Sequence, residues 1–227
     1  MSKTEKLKLT IAIDGPAASG KSTTARQVAQ ILNYLYIDTG AMYRALTLEV
    51  LNRRIPEKNE DEVVKVANEV NIQLVPGVKG PRTIIDGVDV SEEIRLPEVT
   101  HIISTISAYK EVREIMKAKQ RELAKNGGVV MDGRDIGTVV LPQADVKIFM
   151  DACVDDRADR RVKELKEKNL PVDRENIKEE LIQRDLIDST RDVAPLKPAK
   201  DAIIIDTSNL TIADQVQKVI DIVNDIA

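Results

Sequence analysis

The segment Gly15-Pro16-Ala17-Ala18-Ser19-Gly20-Lys21-Ser22 follows the pattern G-x-x-x-x-G-K-[ST], and Thr23 extends it. Each residue type has a chemical reason. Glycines let backbone N–H groups turn inward onto phosphate oxygens, Lys21 reaches the β and γ groups, and the Ser22 hydroxyl completes the coordination of a magnesium ion. At average glycine frequencies the pattern arises by chance in roughly one chain per hundred of this length, so its context decides. A phosphate cradle needs a strand in front of it and a helix behind it.

A second polar cluster, Asp38-Thr39-Gly40-Ala41-Met42-Tyr43-Arg44, follows closely. The chain also carries Arg113, Arg134, Arg157, Arg160, Arg161, Arg184 and Arg191 in segments that read as helix starts or loop edges. An enzyme that moves a phosphoryl group between two small anionic molecules must gather both and exclude water, and arginines on mobile segments suit that task. The plainer alternative for any one of these arginines is a solvated helix face. For the second cluster it is a helix cap at Thr39 and a surface arginine at Arg44. Asp132 follows the apolar run VVM, as a metal-directed carboxylate would, and also as the turn at a strand end would. His101, the lone histidine, reads as structural or surface. Cys153 reads as a small apolar filler at the end of a buried strand. Lys163 to Lys168 (KELKEK) reads as a solvated helix face.

The elements that must hold these residues follow from periodicity. Leu7 to Ile13 is a buried strand running into the Asp14-Gly15-Pro16 turn, a helix begins at Lys21, and a short strand covers Leu35 to Ile37. Helices are expected over Gly40 to Arg53 and Asp61 to Val70. The pattern then changes to alternation over Ile72 to Val75, Thr83 to Asp86 and Val88 to Val90, broken by Pro76-Gly77, Gly80-Pro81 and Asp86-Gly87, so residues 71 to 95 read as an antiparallel insertion. Tyr109 to Asn126 is a charged helix stopped by Gly127-Gly128. Val129 to Met131, Val146 to Met150 and Ile203 to Asp206 are the remaining parallel strands. Two charged helices over 155 to 190, separated at Asn169-Leu170-Pro171 and poor in apolar residues, read as a surface-exposed, mobile segment, and Thr211 caps a last helix.

Composition narrows the function classes. The chain has 227 residues, enough for one α/β domain with an insertion and a proper core; 42% are hydrophobic and 32% charged, which argues against wholesale disorder. A single cysteine excludes an intramolecular disulfide and a thiolate metal cluster. A formal charge of −4, with no Trp, one Phe and four Tyr, argues against a nucleic-acid partner. No apolar run reaches membrane-spanning length and no signal-peptide pattern is present, so a cytoplasmic protein without a membrane partner is expected.

Taken together, GPAASGKST at Gly15 to Thr23, DTGAMYR at Asp38 to Arg44, DGRDIGT at Asp132 to Thr138 and RDVAPL at Arg191 to Leu196 resemble the bacterial cytidylate kinases from near residue 9 to near 220. The resemblance implies a single P-loop α/β domain: a parallel sheet flanked by helices, an acceptor-binding insertion at about 60 to 107 and a helical lid at about 155 to 190. It implies a monomer that phosphorylates CMP and dCMP with ATP and Mg²⁺. Gly15, Pro16, Ala17, Ala18, Ser19, Gly20, Lys21, Ser22 and Thr23 would cradle ATP. Arg157 and Arg161 would open the lid, one over adenine and one on phosphate. Thr39 and Arg44 would meet the acceptor phosphate, and the helix-entry serine Ser104 with Arg113 would read the base. Arg134 would reach phosphate, and Asp135 would accept from the exocyclic amine. Arg184, Asp188 and Arg191 would hold sugar hydroxyls and the transferring phosphates. Lys21, Arg134, Arg184 and Arg191 form the catalytic set.

Physical sense agrees on one point. Cytosine differs from uracil by a donor amine in place of an acceptor carbonyl, which an acceptor-only carboxylate such as Asp135 distinguishes. Two alternatives stay open: a kinase for UMP or another small acceptor, and a non-kinase P-loop ATPase whose arginines bind a partner. A GTPase is disfavoured by the absence of an N-K-x-D base reader.

Overall fold

A computed structural model describes residues 8–77, 80–167 and 171–226. Its contacts group into two compact units, one formed by residues up to Tyr36 together with those from Asn126 onward, the other by Ile37–Lys125.

The first unit is built on a five-stranded sheet. Its strands are β1 (Thr10–Asp14), β2 (Leu35–Asp38), β6 (Val129–Gly133), β7 (Val146–Asp151) and β8 (Ile203–Asp206), in the order β2-β6-β1-β7-β8. β1 pairs in parallel with β6 and with β7, and β7 in parallel with β8. The central position of β1 explains its near-continuous apolar run: a strand covered on both faces has no solvent side to keep polar. Ile11 and Ile13 pack with Ala25, Val28 and Ala29 of α1 (Lys21–Leu32) and with Val216, Val219 and Val223 of α8 (Ile212–Ile226). Each fully buried aliphatic side chain there contributes about 2 kcal/mol.

α6 (Val154–Glu167) and α7 (Arg174–Thr190) also belong to this unit. They share a small core of Ala158, Ile177 and Leu181, against which Ala17 and Ala18 of the phosphate loop pack. Their charged faces are exposed as expected, whereas the break at Asn169 and Leu170 lies outside the described residues, as do Lys168 and Leu7. Cys153 departs from expectation. The strand ends at Asp151, and Cys153 is exposed, its thiol donating to Asp156 Oδ2 at 3.0 Å. A sulfur so placed fills no core.

The second unit holds α2 (Thr39–Asn52), α3 (Glu60–Glu69), the antiparallel sheet β3 (Ile72–Val75), β4 (Arg82–Ile85) and β5 (Val88–Asp89), then α4 (Pro97–Ala108) and α5 (Lys110–Ala124). Asp86 and Gly87 turn β4 into β5 with φ of 48° and 89°, the left-handed pair a two-residue hairpin demands. α4 has no counterpart in the sequence reading, and Ser104 therefore sits within a helix rather than at a helix entry. The cap of α2 is also different: Asp38 Oδ1 accepts from Ala41 N at 2.9 Å, and Thr39 is the buried first helical residue.

Candidate active site

The phosphate loop takes its shape from close approaches. A Cβ on Gly15 would lie 2.1 Å from the Met150 carbonyl oxygen, and one on Gly20 would lie 2.5 Å from Gln215 Oε1, so neither position accepts a side chain without movement. Gly20 (φ 93°) starts α1 without a side-chain cap, leaving first-turn N–H groups for an anion. Lys21 is buried, and its ammonium donates to the Pro16 carbonyl at 3.0 Å, which holds it across the loop.

Two hydrogen bonds that no motif announces fix the loop from behind. The Thr207 hydroxyl reaches the Ser19 carbonyl at 2.9 Å, and the Thr24 hydroxyl donates to Gln215 Oε1 at 2.9 Å. Arg160 Nη1 in turn donates to Thr207 Oγ1 at 3.1 Å, so this arginine belongs to the loop's support rather than to a solvated face.

Ser22 Oγ donates to Asp132 Oδ2 at 2.6 Å, and Tyr36 OH donates to Asp132 Oδ1 at 2.9 Å. Asp132 lies within β6 (Val129–Gly133) and faces the Ser22 hydroxyl of the loop. Hydroxyl and carboxylate oxygens are hard donors that fit a magnesium ion. Among the described residues no group of three or more His, Cys, Asp or Glu could hold a metal.

The same unit gathers Arg134, Asp135, Arg184, Asp188 and Arg191. Arg134 Nε donates to Asp188 Oδ2 at 3.0 Å, and Arg191 Nη1 and Nη2 lie 3.7 Å from Asp188 Oδ1 and 3.8 Å from Asp135 Oδ1. Burial pushes the Asp188 carboxyl upward, but the charges of Arg134, Arg184 and Arg191 overcome it and hold the group below its usual range. Three guanidiniums against two carboxylates leave net positive charge.

The two arginines expected at the lid differ in burial. Arg157 is buried, donating to the Ala152 carbonyl at 3.0 Å and the Ala17 carbonyl at 3.3 Å while pairing with Asp185 at 2.6 Å. Arg161 pairs with Glu164 at 2.7 Å and is partly exposed.

In the second unit α2 presents two arginine contacts from adjacent positions. Arg44 Nη1 donates to Thr100 Oγ1 at 2.8 Å and to the Ile94 carbonyl at 3.4 Å. Tyr43 lies under the Arg113 guanidinium, 5.5 Å from ring centroid to carbon, and Arg113 also donates to the Ser107 carbonyl at 2.9 Å. Arg113 is 5% exposed, which excludes a solvated face. Ser104 lies one turn before Ser107, whose hydroxyl donates to the Ser104 carbonyl. His101 is exposed, in keeping with a surface role.

Sequence reasoning missed Tyr36, Tyr43, Thr100, Thr207 and Gln215. Only Tyr43, inside DTGAMYR, carried a signal that could have found it.

Residues 11–225 match the family model described as Cytidylate kinase. A cytidylate kinase of Bacillus cereus (strain B4264) is 51% identical over 217 residues, covering 96% of each chain. One of Bacillus thuringiensis (strain Al Hakam) is 50% identical with the same coverage. An uncharacterized protein from Eubacterium ventriosum shares the fold, with a TM-score of 0.52 at 12% identity over 96% of this chain and 99% of its own. No helix among the described residues is long and apolar enough to cross a membrane. A P-loop, a parallel sheet and a family match spanning almost the whole sequence converge: the chain belongs to the cytidylate kinase family.

Proposed function

We propose that the chain transfers the γ-phosphoryl group of ATP to CMP and dCMP through the residues described above, as one kinase domain with an acceptor-binding insertion at about 60 to 107 and a lid at about 155 to 190. The observation that carries the reading is the convergence of Arg134, Arg184 and Arg191 on Asp188 in the unit that holds the phosphate loop. Phosphoryl transfer through a loose transition state asks for positioning and charge neutralisation more than for a strong base. Lys21 supplies a point charge that follows the moving group, and the planar arginine forks hold phosphate oxygens in fixed orientation.

Gly15 to Thr23 bind ATP, with Arg157 and Arg161 at the lid. Arg157, already against the Ala17 carbonyl, is the better placed of the two to reach phosphate. Thr39 and Arg44 take the acceptor phosphate, Ser104 and Arg113 the base edge, Asp135 the exocyclic amine, and Asp188 a sugar hydroxyl. Ser22 and Asp132 would hold a magnesium ion, which supplies neutralisation of phosphate charge when it arrives with ATP. The protein acts on small molecules, as a monomer, in the cytoplasm.

A coupled ADP-release assay with ATP and each of CMP, dCMP, UMP, AMP and GMP tests the reading. Turnover is expected with CMP and dCMP well above the rest. ATP hydrolysis independent of any acceptor would instead favour a partner-binding ATPase, and a UMP preference would move the substrate class.

A further inference from the structure

Asp14, the last residue of β1, is 4% exposed. None of the roles above uses it. Its carboxylate is nevertheless fully engaged: Oδ1 accepts from Ile136 N and Oδ2 from Gly137 N, each at 2.8 Å, across 122 and 123 residues of sequence. Those two amides open the short π-helical turn Ile136–Val140, and the residue before them is Asp135. Asp135 has φ −145° and ψ 26°, and its carbonyl accepts from Val139 N at 2.8 Å and Val140 N at 3.1 Å. The first N–H groups of any helical turn have no partner within it, so they need an outside acceptor. Here the outside acceptor is a buried carboxylate.

A buried carboxylate is an expensive choice for a structural cap. Burial pushes Asp14 up to about 7, against the pull of the Gly137 and Ile136 amides; the nearby Asp135 charge adds to the rise and Lys21 opposes it. The turn also lies at van der Waals distance from the carboxylate: a Cβ on Gly137 would stand 3.4 Å from Asp14 Oδ2 and from Lys147 Cδ.

We propose that Asp14 is a positioning residue for base recognition, clamping the turn at Ile136 and Gly137 so that Asp135 presents its carboxylate in one orientation. The proposal rests on the reading of Asp135 as the acceptor for the cytosine amine. A carboxylate that must distinguish a donor amine from an acceptor carbonyl has to be held in register, and a displacement of about 1 Å costs about a hundredfold in rate. Two backbone amides taken by one rigid fork remove both the slide and the twist of the turn.

The test uses full-length Asp14→Asn, Asp14→Glu and Asp135→Ala proteins, with kcat and KM measured for CMP, UMP and ATP and the fold checked by thermal melting. Asparagine keeps the size and one acceptor oxygen but turns an NH₂ toward the other amide. Asp14→Asn is expected to raise the KM for CMP and to lower the CMP-over-UMP ratio of kcat/KM by about tenfold or more, with the KM for ATP within about twofold of wild type. Asp14→Glu, whose extra methylene drives the carboxylate against the same two amides, shifts the ratio in the same direction. Equal losses on CMP and UMP, or a rise confined to the KM for ATP, would assign Asp14 to the fold or to the adjacent phosphate loop and overturn the proposal. An unchanged ratio in Asp14→Asn while Asp135→Ala collapses it overturns the proposal alone. An unchanged ratio in Asp135→Ala removes the base-reading role itself, and the proposal with it. Should Asp14→Asn fail to fold, an unchanged ratio in Asp14→Glu is sufficient to overturn it.

Discussion

The phosphate loop and the α6–α7 helix pair belong to one unit, and the back of the loop and the outer face of the pair are held by opposite means. Behind the loop run neutral hydrogen bonds, buried from Thr207 to the Ser19 carbonyl and from Thr24 to Gln215 and partly buried from Gln215 Nε2 to the Leu210 carbonyl at 3.1 Å, to which Arg157 and Arg160 of α6 add charged ones at the Ala17 carbonyl and Thr207. The helix pair shares a core of three buried apolar side chains, and its outer face carries a surface network in which Arg174 meets Asp155, Asp159 and Glu175, and Lys178 meets Asp155. Buried hydrogen bonds are unscreened and costly to leave half-made, whereas exposed ion pairs contribute little and weaken with salt. The difference matches the tasks. A loop that must receive triphosphate oxygens benefits from one fixed geometry, and helices proposed to close over ATP benefit from contacts that are cheap to exchange.

The largest effect is expected at the loop. Lys21→Met should lower kcat by about a thousandfold or more while the melting temperature stays near wild type, because one preorganised charge is lost and the loop's supports remain. Retained turnover would show that the loop does not direct phosphoryl transfer.

Asp188 tests whether the whole of α7 behaves like its exposed face. This carboxylate is buried among Arg134, Arg184 and Arg191 at the helix end. Asp188→Asn should destabilise by about 3 kcal/mol in urea unfolding at neutral pH. Its folded carboxyl lies below the unfolded value, so the stabilisation is present above about pH 4 and disappears as pH falls through the folded value. A wild-type advantage that persists unchanged at pH 3 would contradict the charge cluster.

Gln215→Ala sharpens the contrast from the loop side. Removing its amide leaves the Thr24 hydroxyl and the Leu210 carbonyl without that partner, with an expected cost of about 2 kcal/mol and a raised KM for ATP. A stability loss with an unchanged KM would separate the support from the cradle. The smallest effect is expected at Arg174→Ala: a melting-temperature change within about 2 °C at low salt, vanishing near 1 M NaCl as screening removes the network's attraction. A large, salt-independent loss would mean that the helix pair is held as firmly as the loop.

Local signals located much of this architecture. The apolar run before Gly15, the helical spacing after Lys21 and the Asp86-Gly87 turn each led to the element found, since each depends on neighbours within a few residues. α4 escaped because PEVTHIISTISA is rich in β-branched residues. Its Pro97 at the first turn and the buried spacing of Val99, Ile103 and Ile106 were the helical evidence, and packing overrode propensity. The cap of α2 was misplaced by one residue because Asp38 and Thr39 are both good caps, and only the chain's path decides which one precedes the helix.

The sequence by itself determined the phosphate cradle, the strands that flank it and the candidate arginines, because these follow from residue type and short-range spacing. Tertiary structure alone decided their partners. Ser22 meets Asp132 across 110 residues, Arg134 meets Asp188 across 54, and Asp14 reaches the turn after Asp135 across 122. A charge or a hydroxyl does not encode its partner; the order in which β6, β1 and β7 lie side by side brings the partners within hydrogen-bonding distance.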